Sequence, residues 1–166
     1  MTIQRTISPV DGSVYVERTL ATHVQIEAAL AGARLAQRVW RKVTMAERAA
    51  ILSRFCDAFE SHGDAIAEEL TWQMGRPLRY APSEVRGTLE RARHMIAIAP
   101  AALADIDAGP KAGFHRFLRR EPLGVVFTVA AWNYPYLIAV NSVVPALMAG
   151  NVVVLKHSAQ TPLCAE

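Results

Sequence analysis

The sequence predicts an α/β fold in which an N-terminal helical segment precedes one βαβ unit. Two short, continuous apolar runs, Val125–Ala131 and Val152–Leu155, are typical of parallel strands that are buried on both faces. The segment between them, Tyr136–Met148, is long and apolar enough to form the crossover helix that parallel strands require. Helical periodicity over most of residues 22–106 predicts the N-terminal segment.

A polar residue stands at the carboxyl end of each predicted parallel strand. Asn133 follows the first run, and Lys156 ends the second. The carboxyl ends of parallel strands lie at one edge of a sheet, and ligands of open α/β sheets bind beyond that edge. The sequence therefore predicts that an amide and an ammonium group face one crevice.

The chain begins with two predicted strands and a long helix. Residues 3–20 contain two short strands joined by a turn at Ser8–Gly12, which has proline and Asp-Gly chemistry. Thr22 is suited to cap a helix that runs to about Val43. The apolar positions of this helix include Val24, Leu30, Leu35 and Val39.

A second helix is predicted from a capping box formed by Thr44 and Glu47. Gly63 is suited to its C-terminus. The apolar stripe of this helix contains Leu52, Phe55, Cys56 and Phe59. Because Cys56 lies on that stripe, we expect a buried structural thiol and not a nucleophile.

The remaining N-terminal elements are two more helices and one strand. A third helix covers about 64–74, and a fourth runs from Ser83 to about Ala99, where Pro100 ends or kinks it. A further helical turn extends to Ile106. In residues 111–120, Phe114, Phe117 and Leu118 lie among basic residues, which predicts an extended strand too polar for the centre of a sheet.

The composition excludes several classes of protein. The chain has 166 residues, 52% hydrophobic and 20% charged, with a net charge of +3 carried by arginines that alternate with acids. This pattern predicts a solvated or salt-bridged face and no nucleic-acid partner. Two cysteines make no disulfide framework, and five scattered histidines predict no metal site. No apolar run is long enough for a membrane helix, and no signal core follows the first residues, so a cytoplasmic location is expected.

Four linked motifs in the C-terminal part carry a family resemblance. They are Glu121–Val126, Trp132–Pro135, Gly150-Asn151 and Lys156, and together they resemble the aldehyde dehydrogenase superfamily. The N-terminal helices agree in kind, so the resemblance covers essentially the whole chain. It implies an incomplete NAD(P)-binding domain over residues 1–166, of the Rossmann-like type. Helices at about 22–106, an oligomerisation-arm strand or hairpin at about 111–120 and the first βαβ at about 123–156 are its expected parts.

The resemblance also implies a reaction and roles for individual residues. Members oxidise an aldehyde to a carboxylic acid with NAD or NADP, through a thiohemiacetal and a thioester on a cysteine. Asn133 matches the residue whose amide contributes to the oxyanion hole, and Lys156 matches the lysine that hydrogen-bonds the adenosine ribose. The other positions implied for the cofactor are Val129, Ala130, Trp132, Ser158 and Ala159. The substrate tunnel matches Tyr134, Leu137 and Ile138, although core packing explains Leu137 and Ile138 equally well.

Three departures from the family pattern affect these expectations. Ala159 replaces the glutamate that chelates the ribose hydroxyls and repels a 2′-phosphate, so NADP is expected to be less strongly excluded. Ser142 replaces a lysine implicated in proton relay. The family's general-base glutamate and nucleophilic cysteine lie far beyond Pro162, and nothing in the sequence pairs Cys164 with a base.

The chain is therefore expected to be the N-terminal part of an aldehyde dehydrogenase, inactive alone and homo-oligomeric in its full-length context. A fragment, a truncated gene product and one piece of a split protein all remain possible origins. The alternative function is a non-catalytic homologue that binds a nucleotide or associates with another subunit.

Overall fold

The computed structural model describes residues 2–166 and contains six strands and five α-helices in that range. The elements in chain order are β1 (Ile3–Ile7), β2 (Val14–Thr19), α1 (His23–Trp40), α2 (Met45–Ser61), α3 (Gly63–Met74), α4 (Ala81–Ala102), β3 (Ile106–Asp107), β4 (Phe117–Leu118), β5 (Val125–Val129), α5 (Pro135–Met148) and β6 (Val152–Lys156), followed by a 3₁₀ turn at Pro162–Ala165.

The C-terminal part is the predicted βαβ unit. β5 and β6 pair in parallel, with Val125 opposite Val152 and Val129 opposite Lys156, and α5 connects them. Both α5 and α1 pack against this two-stranded sheet. The carboxyl ends of the two strands therefore lie side by side. The helices and parallel strands confirm the α/β fold.

Local capping chemistry forms the helix starts as the sequence predicts. The Thr22 backbone N–H donates to the side chain of Gln25 at 2.8 Å, and the Gln25 N–H donates back to the Thr22 hydroxyl. Thr44 and Glu47 make the same reciprocal pair at the start of α2. Each box satisfies amide groups of the first turn that have no partner within the helix.

Two predicted helix ends are wrong by a few residues. α1 ends at Trp40 and not near Val43. Gly63 does not terminate α2 but is the first residue of α3, and His62 lies at the junction with φ −100°. Because the His62 N–H donates to the Phe59 carbonyl, the chain turns without a left-handed residue.

The segment after α4 also differs from the prediction. α4 continues through Pro100 to Ala102, and Ile106 is not helical but pairs in β3 with Leu118 of β4. Residues 111–120 are not one continuous strand, since only Phe117–Leu118 belongs to β4. Gly113 adopts φ 77° in a turn before it, and the Arg116 guanidinium donates to carbonyls of residues 108–110. The antiparallel pair is a short hairpin, which agrees with the predicted arm in type.

The core lies between α2, α4 and α5. Its buried residues are Leu52, Cys56, Val85, Leu89, Ala92, Ala99, Val140, Val144 and Met148. Cys56 is 1% exposed, and burial raises the pKa of its thiol, as expected for a structural cysteine. Phe55, on the predicted apolar stripe, is instead 46% exposed. All residues of α1 are described and none is fully buried, so Val24, Leu35 and Val39 remain exposed.

The N-terminal hairpin fixes the segment after β6. Thr6 and Gln4 on β1 donate to the backbone carbonyl of Ala159 at 2.8 and 3.0 Å, and the Ser8 hydroxyl donates to the carbonyl of Trp72. The β1–β2 hairpin is therefore attached to α3 through its turn and to the C-terminal segment through β1. Within residues 2–166, no helix combines the length and hydropathy of a membrane span.

Candidate functional site

The candidate site lies where β5 and β6 end together. Residues 132–135 form a turn between β5 and α5, which we call the Trp-Asn-Tyr-Pro turn. The Ala130 N–H donates to the Lys156 carbonyl at 3.0 Å, so pairing of the two strands extends to the beginning of this turn. Asn133 and Lys156 thus follow neighbouring strands at one sheet edge, as predicted from the sequence.

A buried charge pair supports the turn from α3 and α4. Arg76 follows the left-handed Gly75 at the end of α3 and forms an ion pair with Glu84 of α4. The second guanidinium nitrogen donates to the backbone carbonyl of Asn133. The guanidinium carbon also lies 4.3 Å from the centre of the Tyr134 ring, which is a cation–π distance.

Glu84 also caps α5. Its second carboxylate oxygen accepts hydrogen bonds from the N–H groups of Tyr136 at 3.0 Å and Leu137 at 3.4 Å. Its side chain is 0% exposed, whereas that of Arg76 is 10% exposed. Burial raises the pKa of Glu84, while Arg76 and the two amides act in the opposite direction.

Most of the candidate site residues at the carboxyl end of β5 are exposed to solvent. Val129, Trp132 and Tyr134 are 60%, 54% and 47% exposed, and Asn133 is exposed. Ala130 differs, since it is 3% exposed. For the part of the chain that is described, the structure gives the Asn133 side-chain amide no hydrogen bond, so its donor is available to a ligand.

The candidate cofactor-binding residues at the carboxyl end of β6 are Lys156, which ends the strand, and Ser158 and Ala159, which lie in the loop after it. Lys156 is exposed at the end of β6, and Ser158 accepts a hydrogen bond from the Gln160 N–H through its hydroxyl. Ala159 is exposed while its carbonyl is held by β1. His157, between Lys156 and Ser158, is buried, and burial lowers the pKa of its imidazole.

Leu137 and Ile138 lie in the first turn of α5 and are both half-buried. Leu137 packs against the core between α2, α4 and α5, and its Cδ1 atom lies 3.7 Å from where a side chain at Gly87 would begin. The Ile138 N–H donates to the Tyr134 carbonyl at 2.8 Å. Core packing therefore explains Leu137, whereas Tyr134 is exposed within the turn.

The second cysteine is deeply enclosed. Cys164 is 9% exposed in the 3₁₀ turn, and the amide of Gln73 approaches its sulfur at 3.8 Å. Burial raises the pKa of the Cys164 thiol to about 12. This environment disfavours a thiolate. Across residues 2–166, the His, Cys, Asp and Glu side chains form no group of three suited to a metal ion.

Sequence reasoning missed Arg76 and Glu84 as parts of the site. Glu84 is one of the acids that alternate with arginines, a pattern that predicts a solvated or salt-bridged face. Its ion pair with Arg76 agrees with that prediction, whereas its complete burial does not. A signal was present in the Gly-Arg-Pro sequence at 75–77, because glycine and proline mark a helix end and so place Arg76 directly after α3. The partner at Asn133, 57 residues away, could not be identified from local sequence.

Known proteins resemble this chain in sequence and in fold. The sequence model of the aldehyde dehydrogenase family matches residues 2–166. The chain is 37% identical over 161 residues to fluoroacetaldehyde dehydrogenase of Streptantibioticus cattleyicolor, with 94% of the chain and 31% of the relative covered. It is 36% identical over 162 residues to an NADP(+) succinate-semialdehyde dehydrogenase of Mycobacterium tuberculosis, with 96% and 35% covered.

Solved structures show the same similarity in three dimensions. An NAD-dependent benzaldehyde dehydrogenase from Corynebacterium glutamicum superposes with a TM-score of 0.89 at 30% identity, with 98% of this chain and 36% of that chain covered. The chain therefore spans about a third of the length of the relatives that it matches.

Proposed function

Because the chain belongs to the aldehyde dehydrogenase family, we propose that it provides the oxyanion donor and part of the cofactor site of an enzyme that oxidises an aldehyde to a carboxylic acid. The observation that carries this proposal is the position of Asn133. Its amide is exposed at the carboxyl end of β5, while its backbone is held by the guanidinium of Arg76.

Asn133 is proposed to stabilise negative charge on the aldehyde oxygen. When a nucleophile adds to the carbonyl carbon, that oxygen becomes an oxyanion. A fixed N–H donor lowers the energy of this state by about 3 kcal/mol in comparable acyl-transfer sites. The turn supports the role because the donor's backbone is held in place before a substrate arrives.

Residues at the ends of β5 and β6 are proposed to hold a nicotinamide dinucleotide. The exposed apolar side chains of Val129 and Trp132 offer a surface for the dinucleotide, and the exposed ammonium of Lys156 and the hydroxyl of Ser158 offer polar contacts to a ribose. This donor set suits a sugar hydroxyl, so the residues present fit the group. When bound, the nicotinamide accepts a hydride from the substrate. Ala130 is proposed to contribute backbone contacts only, since its side chain is buried.

NAD and NADP are both proposed as cofactors. One relative is named for NADP and one structural neighbour for NAD. Ala159 contributes no carboxylate at the loop after β6, so this position neither chelates a ribose diol nor repels a 2′-phosphate.

Tyr134 is proposed to line the aldehyde's path, because this residue is 47% exposed next to Asn133 and its ring contacts the Arg76 guanidinium. Leu137 and Ile138 are proposed to support the inner wall, with Leu137 also part of the core packing.

The nucleophilic cysteine is proposed to be neither Cys56 nor Cys164. Both thiols are buried, and burial raises the pKa of each. We therefore propose that residues 1–166 alone do not turn over an aldehyde. The β3–β4 hairpin, which exposes Phe117 and Leu118, is proposed to join a second subunit.

The test compares the 166-residue chain with the product of the complete reading frame that contains it. Both are incubated with short aliphatic and aromatic aldehydes and either NAD or NADP, and absorbance of the reduced nicotinamide is followed. Turnover is expected only from the complete product. Turnover by the 166-residue chain, abolished by Cys164→Ser, would contradict the proposal. Absence of turnover in a folded complete product would favour the non-catalytic homologue.

A further inference from the structure

We propose that Arg76 and Glu84 are positioning residues that fix the Trp-Asn-Tyr-Pro turn and so aim the Asn133 amide, an inference that rests on the proposed oxyanion role of Asn133. Neither residue is proposed to touch the substrate. They act through the backbone, because Arg76 holds the Asn133 carbonyl within the turn and Glu84 holds the first amides of α5 directly after it.

Arg76 holds the Asn133 carbonyl within the turn. Its guanidinium is a planar fork, and its two terminal nitrogens are used for two different partners, the Glu84 carboxylate and the Asn133 carbonyl. The same planar group lies over the Tyr134 ring. Lysine offers a single ammonium, so it cannot reproduce these contacts in one geometry.

Glu84 holds the start of α5, directly after the turn. Pro135 is the first residue of α5 and has no N–H, so the first amides of the helix that need a partner are those of Tyr136 and Leu137. Both donate to one oxygen of Glu84. Tyr134 at the N-cap position makes no side-chain hydrogen bond to the helix. Glu84 therefore replaces the usual N-cap from a different helix.

The two contacts form one continuous link across the turn. It runs from the Asn133 carbonyl through Arg76 and Glu84 to the amides of residues 136 and 137. A buried ion pair of this kind is weak evidence for stability, because desolvation offsets much of the attraction. Its definite effect is geometric, since it fixes two groups in relation to each other. Asn133, which carries the proposed chemistry, is itself one of the two fixed groups.

The experiment uses Glu84→Gln and Arg76→Lys in the complete reading-frame product. Glu84→Gln keeps the size of the side chain but removes the charge, and Arg76→Lys keeps the charge but removes the fork. The matched control is Glu60→Gln, because Glu60 pairs with Arg93 at 2.5 Å on the exposed surface and, among the described residues, makes no ion pair with Arg76 or Glu84. Hydrogen exchange of peptides covering residues 132–137 and 45–61 is measured together with steady-state kinetics.

In Glu84→Gln we expect exchange at Tyr136 and Leu137 to accelerate about tenfold or more, because a neutral acceptor replaces the charged one in both hydrogen bonds. In Arg76→Lys we expect a smaller acceleration at the same amides, because Glu84 keeps those hydrogen bonds but loses the guanidinium that orients it. Exchange in α2 should not change. The kcat should fall about tenfold or more with the KM for the nicotinamide cofactor unchanged, since an oxyanion donor acts in the transition state. A merely structural role would instead lower the amount of folded enzyme and leave the kcat of the folded fraction intact.

Unchanged exchange at residues 136 and 137 in both folded variants would overturn the inference. So would an unchanged kcat in both variants if Asn133→Ala lowers it. If Asn133→Ala itself leaves kcat unchanged, the oxyanion role fails separately, and the exchange rates still decide whether the pair fixes the turn. A variant that does not fold is replaced by the other, because the two remove different contacts of the same link.

Discussion

The hydroxyl oxygens of Thr128 on β5 and Ser142 on α5 lie 2.7 Å apart and form a hydrogen bond between the strand and its crossover helix. Thr128 is 6% exposed, so this bond satisfies a polar group that would otherwise be buried without a partner. Ser142 is the residue that the family resemblance matches to a lysine. In this chain, the position is used for packing of the βαβ unit.

Ser142→Ala is expected to lower the free energy of unfolding by about 1–3 kcal/mol, because it leaves the buried Thr128 hydroxyl unpaired. Adding Thr128→Val should restore part of the loss, since the unpaired group is then removed. Denaturant unfolding of the complete reading-frame product measures both. Ser53→Ala, on the exposed side of α2, is the control and should change stability by less than about 0.5 kcal/mol. Equal losses in the single and double variants would contradict the pairing.

Asn133→Ala in the complete reading-frame product is expected to reduce kcat by about 10²- to 10³-fold, the usual cost of losing one preorganised oxyanion donor. Folding should be retained because the Asn133 side chain is exposed, and the contact of Arg76 with this residue is to its backbone carbonyl, which alanine keeps. Steady-state kinetics and circular dichroism test the two expectations.

Asn141→Ala is the matched control for this substitution. Asn141 is an exposed asparagine on α5 whose amide donates to the Leu137 carbonyl at 2.8 Å. Its replacement should leave kcat almost unchanged. A fall of less than about threefold for a well-folded Asn133→Ala enzyme would exclude the oxyanion role, since one donor normally contributes far more.

The sequence predicted those features whose partners lie close along the chain. The predicted cap at Thr22 and capping box at Thr44 depend on residues within three positions, so a short motif was sufficient. Asn133 and Lys156 could be placed at one edge because parallel pairing fixes where strands end. Glu84 could not be assigned, since its partner amide on Tyr136 is 52 residues away. Ile106 was wrongly predicted as helical because its conformation depends on pairing with Leu118.

Ala159→Glu is expected to shift the ratio of kcat/KM for NAD to that for NADP toward NAD, because a carboxylate gains contacts to ribose hydroxyls and repels a 2′-phosphate. The backbone should tolerate the change, since the side chain is exposed and the carbonyl is already held by Thr6 and Gln4. Ala159→Gln is the control, because it offers hydrogen bonds without charge. The same ratio in all three proteins would mean that other residues select the cofactor.

Cys164 is expected to resist alkylation by iodoacetamide at pH 8 in the folded, complete reading-frame product. Burial raises its pKa to about 12, so the thiolate fraction at pH 8 is about 10⁻⁴. Mass spectrometry of the Cys164 peptide should show labelling only after denaturation. A thiol introduced by Ser53→Cys on the exposed side of α2 reports that the reagent is active. Rapid native labelling of Cys164 would contradict this environment and reopen its role as a nucleophile.

The 166-residue chain, expressed alone, is expected to associate or to be only partly folded. Phe127 and Val129 lie two residues apart on one face of β5 and are 64% and 60% exposed, and Val24 and Leu35 on α1 are 76% and 62% exposed. Large apolar side chains contribute about 1.5–3 kcal/mol each when they are buried. Folded domains retain only about 5–15 kcal/mol in total. Covering a few such side chains is therefore a strong driving force for association.

Size-exclusion chromatography with light scattering, together with thermal melting, tests this expectation. Phe127→Ser with Val129→Ser should reduce association if the sheet face is the contact. Val24→Ser with Leu35→Ser is the matched pair on α1 and should reduce it if the helix face is the contact. A compact monomer with a sharp, cooperative transition would show that the exposed residues are tolerated. In that case the 166-residue chain would be a self-sufficient module, which would favour the non-catalytic alternative.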